Sequence, residues 1–246
     1  MAGVERLARR IARAGLCSRR EAERWIAAGR VAVDGEVHTS PALNVDAGTH
    51  IAVDGRPLPA AERARLWRYH KPRGVLTTHS DTHGRPTLFE QLPASLPRVI
   101  AVGRLDLNSE GLLLLTNDGA LARCLELPAT GLMRRYRARV HGAVERAALA
   151  GLARGVTVAG IRYGPVHAAL ERKIGSNAWL DVRLAEGKNR EVRRVLESLD
   201  LTVARLIRTA YGPFDLATLK QGEVHEVAAR TLRSRLGADA NIMLAT

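Results

Sequence analysis

The residues with the clearest chemical potential lie between Gly103 and Gly119, in the stretch GRLDLNSEGLLLLTNDG. An apolar run, Leu112 to Leu115, leaves a polar loop carrying Asp106, Asn108, Ser109 and Glu110. Oxygen donors at alternate positions, with Gly111 at the sixth, imitate the opening of a calcium loop. The imitation ends there, because the twelfth position is Asn117 rather than a bidentate Glu and no helix-loop-helix pattern surrounds it. What remains is one carboxylate, Asp106. Such a group can serve as nucleophile or general base, or it can merely cap a turn. Arg104 precedes it by two residues, a spacing that on an extended segment puts both side chains on one face.

Other metal chemistry finds little support. Cys17 and Cys124 are far apart, and no Cys or His pair has zinc-ligand spacing. Both cysteines read as small buried hydrophobes. A two-metal nuclease would want clustered carboxylates, and the loop around Asp106 offers no convincing set.

The partner is easier to read. In 246 residues, 34 Arg and 4 Lys stand against 25 Asp plus Glu, for a formal charge of +13. Such an excess calls for a polyanion. An apolar fraction of 46% supports a real core and argues against disorder. No apolar run approaches the roughly 20 residues of a membrane span, and no apolar signal segment follows the Arg-rich opening, so the expectation is a soluble, cytoplasmic protein with no membrane partner.

The first 30 residues read as two helices. Leu7, Ile11 and Ala14 form the apolar face of the first, and Gly15 punctuates it. Ser18 to Glu21 has the form of a capping box, Ala22, Trp25 and Ile26 supply the second apolar face, and Gly29 ends it. The period then changes to two at Val31, Val33 and Val37, around the turn pair Asp34-Gly35. A short strand, Ile51 to Val53, meets a second such pair, Asp54-Gly55, and Arg56 to Arg65 reads as a linker. Two domains follow, 1–62 and 63–246. From Arg6 to Arg30, eight arginines face only Glu21 and Glu23, a cationic helix pair suited to phosphates; Arg9, Arg10, Arg19 and Arg20 are its candidate contacts.

The second domain alternates strands at 99–102, 112–115 and 136–140 with helices near 118–126, 143–153 and 188–199. The fold class is therefore α+β: a small helix-helix-hairpin domain, then a mainly antiparallel sheet with flanking helices.

Two family resemblances sharpen this reading. Residues Val4 to about Val53, with Leu16-Cys17-Ser18-Arg19-Arg20-Glu21-Ala22 and Gly29 to Gly35, resemble the small RNA-binding domain named after ribosomal protein S-four. Gly103 to Gly119 resembles the catalytic motif of pseudouridine synthases, in the ribosomal-RNA branch that carries that domain. Tyr69 to Val75 is similar to the opening motif, Arg134 to Val140 to the tyrosine strand, and Leu184 to Arg194 to the closing motif. With Leu206 to Phe214, the resemblance spans about 4–225. One departure is an Arg, 134 or 135, where relatives often carry Lys; the charge is kept.

The resemblance implies an isomerase that cleaves the N-glycosidic bond of a uridine in ribosomal RNA and rejoins the uracil through carbon five. It implies no cofactor and no metal. Asp106 becomes the catalytic carboxylate, Arg193 its salt-bridge partner and Tyr136 the platform for the base. Leu184 packs the base's other face and Arg104 assists flipping. Lys188, Arg190, Arg194 and Arg208 become phosphate contacts, and Lys71 and Pro72 scaffolding beside the cleft. The closing motif is closer to large-subunit members. The expected partner is ribosomal RNA or a pre-ribosomal particle, met by a monomer. The alternative is a non-catalytic RNA-binding or ribosome-assembly factor on the same fold, against which the intact set Arg104, Asp106, Tyr136 and Arg193 argues.

Overall fold

The computed structural model describes residues 4–79 and 81–244. Helices Leu7–Arg13 and Arg19–Ala27 open the chain, and Leu7, Ala8, Ile11, Ala22 and Ile26 are buried in one small core with Val31, Val33, Ile51 and Val53. The Ser18 hydroxyl accepts from the Glu21 amide at 3.1 Å, as a capping residue should. The Glu21 carboxylate turns to Arg24 instead of back to Ser18, so half of the expected box forms. Asp34-Gly35 (φ +50° and +90°) and Asp54-Gly55 (φ +49° and +75°) both take the doubly left-handed turn that matches strand twist. The second turn folds Arg56–Pro57 back onto Ile51–Val53. The expected linker is thereby corrected: its first two residues are a sheet edge, and only 58–65 lack regular structure.

The main sheet has nine strands. Its order is Val166–Ile174, Asn177–Leu184, Arg134–His141, Thr202–Tyr211, Glu110–Thr116, Leu66–Lys71 and Val224–Glu226. Short strands Ile100–Val102 and Phe214–Asp215 pair beside Glu110–Thr116 and Thr202–Tyr211. All pairs are antiparallel except Thr202–Tyr211 with Glu110–Thr116. The α+β reading therefore holds.

Glu110–Thr116 is buried along its whole length, which explains its unbroken apolar run. Leu113 and Leu115 face a core closed by helices Arg146–Gly151 and Glu191–Glu197, through Leu149, Val192, Val195 and Leu196. Leu112 and Leu114 face a second core with Leu121 and Leu125 of helix Gly119–Glu126 and Leu232 of helix Ala229–Leu244. Arg134–His141 instead alternates: Arg134, Tyr136, Ala138 and Val140 point inward, and Arg135, Arg137, Arg139 and His141 outward. Among the described residues no helix is long and apolar enough to cross a membrane.

One backbone approach fixes where the loop 103–109 joins the sheet. Gly111 has φ +107°, and a Cβ there would lie 2.3 Å from the Arg208 carbonyl oxygen and 2.7 Å from its nitrogen. Only glycine permits both the conformation and the contact. Gly111→Ala should therefore cost about 3–5 kcal/mol from overpacking and backbone strain. Urea unfolding checks this, and an unchanged midpoint would contradict the close approach.

Candidate active site

The loop 103–109 runs from Ile100–Val102 into Glu110–Thr116, and its backbone is tied at three amides and five carbonyls. The Gly103 amide donates to Glu126 Oε1 at 2.6 Å. The Leu105 carbonyl accepts from Thr77 Oγ1 at 3.0 Å, and the Leu107 carbonyl from the Gly74 amide at 2.8 Å. Lys71 Nζ donates to the carbonyls of Asp106 at 3.2 Å, Ser109 at 3.0 Å and Pro72 at 3.0 Å. Arg193 Nη2 takes the Asn108 carbonyl at 3.0 Å. All five carbonyls from Leu105 to Ser109 thus have donors. Lys71 is fully buried, and its three protons meet three carbonyls. Desolvation lowers its pKa to about 8, against the opposing pull of Asp106 and Glu110.

The side chain that this loop carries is left unengaged. Asp106 is half-buried and lines a cleft of about 1140 Å³. Its carboxylate makes no hydrogen bond or ion pair with any described residue. Arg104 lines the same cleft while Leu105 between them is buried, so the shared face expected from the spacing is present. Tyr136 and Leu184 line it too, both nearly buried. They sit on neighbouring strands, with Arg134 opposite Leu184, and Tyr136 opposite Val182 on one side and Arg208 on the other.

Arg193 corrects an expectation. It forms no ion pair with Asp106 within 4.0 Å. Helix Glu191–Glu197 buries it toward the strand Thr202–Tyr211, where Nη1 donates to the Val203 carbonyl at 2.8 Å while Nη2 holds Asn108. It fastens the loop two residues beyond Asp106 and reaches the carboxylate through space. Desolvation and Arg190 lower its pKa, and Asp106 opposes them.

The expected phosphate contacts separate into groups. Lys188 and Arg190 line the cleft, Lys188 with its ammonium at 2.8 Å from Glu186 and 2.7 Å from the Arg162 carbonyl. Arg194 does not join them, because its guanidinium turns to the Tyr163 hydroxyl at 3.4 Å and Asn189 Oδ1 at 3.5 Å. Arg208 lines the cleft but is only 2% exposed, so it is no surface contact. In the N-terminal helices, Arg20 and Arg24 reach the cleft wall. Arg9 and Arg10 sit 3.6 Å from Glu5, with Arg13 at 2.6 Å, and Arg19 pairs with Glu23 at 3.2 Å. Glu5, just before the Arg-rich window, is the counter-charge that the count from Arg6 left out. The sequence reading also missed Thr77, Gly74 and Glu126 as loop fastenings; none has a local signal, since each acts across the fold.

Eight basic side chains and four carboxylates line the cleft. A fastened carboxylate, an aromatic and aliphatic wall and a cationic rim define an enzyme acting on nucleic acid. The RNA pseudouridylate synthase family model matches residues 65–198, and the S4 domain model matches residues 5–51. A protein of Rickettsia bellii named Uncharacterized RNA pseudouridine synthase is 49% identical over 92% of this chain and 98% of its own. Ribosomal large subunit pseudouridine synthase B of Pasteurella multocida is 42% identical over 97% of this chain and 72% of its own. A crystal structure of a pseudouridylate synthase is similar with a TM-score of 0.66 and 25% identity, over 94% of this chain and 99% of that one. This chain belongs to the RNA pseudouridylate synthase family. It is an isomerase that acts on RNA.

Lys71 makes the site sensitive to pH. Its folded pKa, about 8, lies below the ordinary 10.5. Between these values the unfolded chain binds the extra proton, so this group adds stability as pH rises. Over the same window the neutral amine has two donors for three carbonyls, and the loop loosens. Turnover should therefore fall through about pH 8 while this group's contribution to stability grows. Parallel pH profiles of pseudouridine formation and thermal unfolding test this; activity that falls only as the protein unfolds would contradict it.

Proposed function

We propose that this chain isomerises a uridine of large-subunit ribosomal RNA to pseudouridine, with Asp106 as the catalytic carboxylate. The observation that carries the proposal is the unengaged, half-buried carboxylate on a loop whose carbonyls are all held, inside a basic cleft. The name of the Pasteurella multocida relative supports the large-subunit assignment. The target nucleotide leaves its stack and enters the cleft, with Arg104 helping to displace it. Its uracil lies between the Tyr136 ring and Leu184. Asp106 either attacks C1′ of the ribose or removes its C2′ proton. In both routes the N1–C1′ bond breaks, the uracil turns and a C5–C1′ bond forms, with the Asp106–C1′ ester displaced in the first route and the proton returned from Asp106 to C2′ in the second. C5 gives up its proton, with the Tyr136 hydroxyl as the candidate acceptor, and N1 ends protonated. No atom or electron is gained or lost, so no cofactor is required.

Residues 1–62 act in this reading as the module that clips structured RNA, and 63–246 as the catalytic domain. Arg193 keeps the loop in place and contributes its charge at a distance. Lys188, Arg190, Arg20 and the N-terminal Arg9, Arg10 and Arg19 supply the phosphate-attracting field. The protein works as a monomer in the cytoplasm on ribosomal RNA or a precursor particle.

Asp106→Asn preserves shape and removes the charge. It should slow pseudouridine formation at least about a thousandfold while RNA affinity stays within about twofold. Retained turnover would refute the assignment of Asp106. Mapping ribosomal RNA from a deletion strain tests the substrate: one missing pseudouridine in large-subunit RNA is expected, and a loss confined to small-subunit RNA would overturn that part.

A further inference from the structure

Two basic residues of the cleft differ from all the others. Arg134 and Arg208 are 8% and 2% exposed. Their strand neighbours Arg135 and Arg205 pair with Asp181 and Glu110. Neither Arg134 nor Arg208 has a carboxylate of any described residue within 4.0 Å. Arg134 donates to the carbonyls of Leu132 and Ala185 and to the Tyr211 hydroxyl. Arg208 Nε donates to the Leu112 carbonyl at 2.7 Å, but its buried Nη2 has no partner. The two guanidinium carbons lie 4.8 and 5.2 Å from the centre of the Tyr211 ring. Tyr211 is itself locked, donating its hydroxyl to the Leu125 carbonyl at 3.0 Å.

A buried cation without a counter-charge is costly, and carbonyl dipoles and an aromatic face offset it only in part. Two such cations side by side are costlier still. The chemistry that removes this cost is an anion. A base carbonyl could satisfy the spare Nη2 donor, yet it would leave both charges uncompensated. A phosphate does both, because its oxygens accept from two guanidinium groups at once. Position fits as well: Arg134 lies two residues before Tyr136 on the inward face, and Arg208 is opposite Tyr136 on the next strand. We propose that Arg134 and Arg208 form a buried anion site that grips an RNA phosphate beside the nucleotide held against Tyr136.

The inference rests on the reading of this cleft as the RNA site, but its test does not involve Asp106. Thermal unfolding of the full chain is followed in inorganic phosphate and in chloride at equal ionic strength. At about ten times its dissociation constant, phosphate should raise the wild-type midpoint by roughly 3–5 °C. Arg208→Gln should lose most of that rise. Arg139→Gln, an outward residue of the same sheet, should keep it. In chloride alone Arg208→Gln should unfold no earlier than wild type, since an uncompensated buried charge has been removed. If Arg208→Gln does not fold, the same comparison with Arg134→Gln decides. No phosphate-specific rise in wild type, or an equal rise in wild type and variant, would overturn the site. Should the site survive while Asp106→Asn stays active, the anion site stands and the catalytic assignment falls.

Discussion

The buried ammonium of Lys71 holds the loop that presents Asp106 to the cleft. Taking a charged amine out of water costs several kcal/mol, and here that cost is offset in part by three carbonyls that converge on it from Pro72, Asp106 and Ser109. The arrangement works in both directions. The loop satisfies the lysine, and the lysine fixes the loop, because each carbonyl that leaves exposes part of a buried charge. Lys71 can occupy this place only because it ends a strand paired directly with Glu110–Thr116, with Lys71 opposite Gly111. The sheet register thus delivers the cation under the residue that needs holding.

Around that centre, work is divided between backbone and side chain. Thr77, Gly74, Lys71 and Arg193 hold carbonyls and leave the Asp106 carboxylate to the cleft. Arg193 and the basic lining surround it without an ion pair to it among the described residues. A carboxylate locked in an ion pair would have to break it before meeting a ribose. An unengaged one on a fixed backbone is already placed and has no partner to give up. Tyr136 and Leu184 complete the wall because the inward faces of two neighbouring strands bring them there.

Much of this was legible in the sequence, and what was not has a physical reason. The two Asp-Gly turns, the Ser18 cap and the run Leu112 to Leu115 announce themselves, since turn chemistry and periodicity are local. The family motifs brought Asp106, Tyr136 and Leu184 to one cleft. Strands Val166–Ile174 and Thr202–Tyr211 escaped notice because charged residues interrupt their apolar alternation. Arg193 was expected on Asp106 and is found on Asn108, a difference of two residues along a loop that no spacing rule resolves. Lys71 looked like scaffolding. Its importance comes from carbonyls 35 and 38 residues away in the chain, a contact that only the folded sheet creates.

The single-turnover rate of Lys71→Met, with RNA affinity measured beside it, decides whether this ammonium holds the loop. Methionine keeps the unbranched apolar stem, one atom shorter, and removes all three donors, while the Asp106 carboxylate and the cleft's basic lining remain. A loop that drifts by about an ångström should slow pseudouridine formation about a hundredfold with affinity unchanged. A folded Lys71→Met protein that turns over at the wild-type rate would contradict the claim that this ammonium holds the catalytic loop.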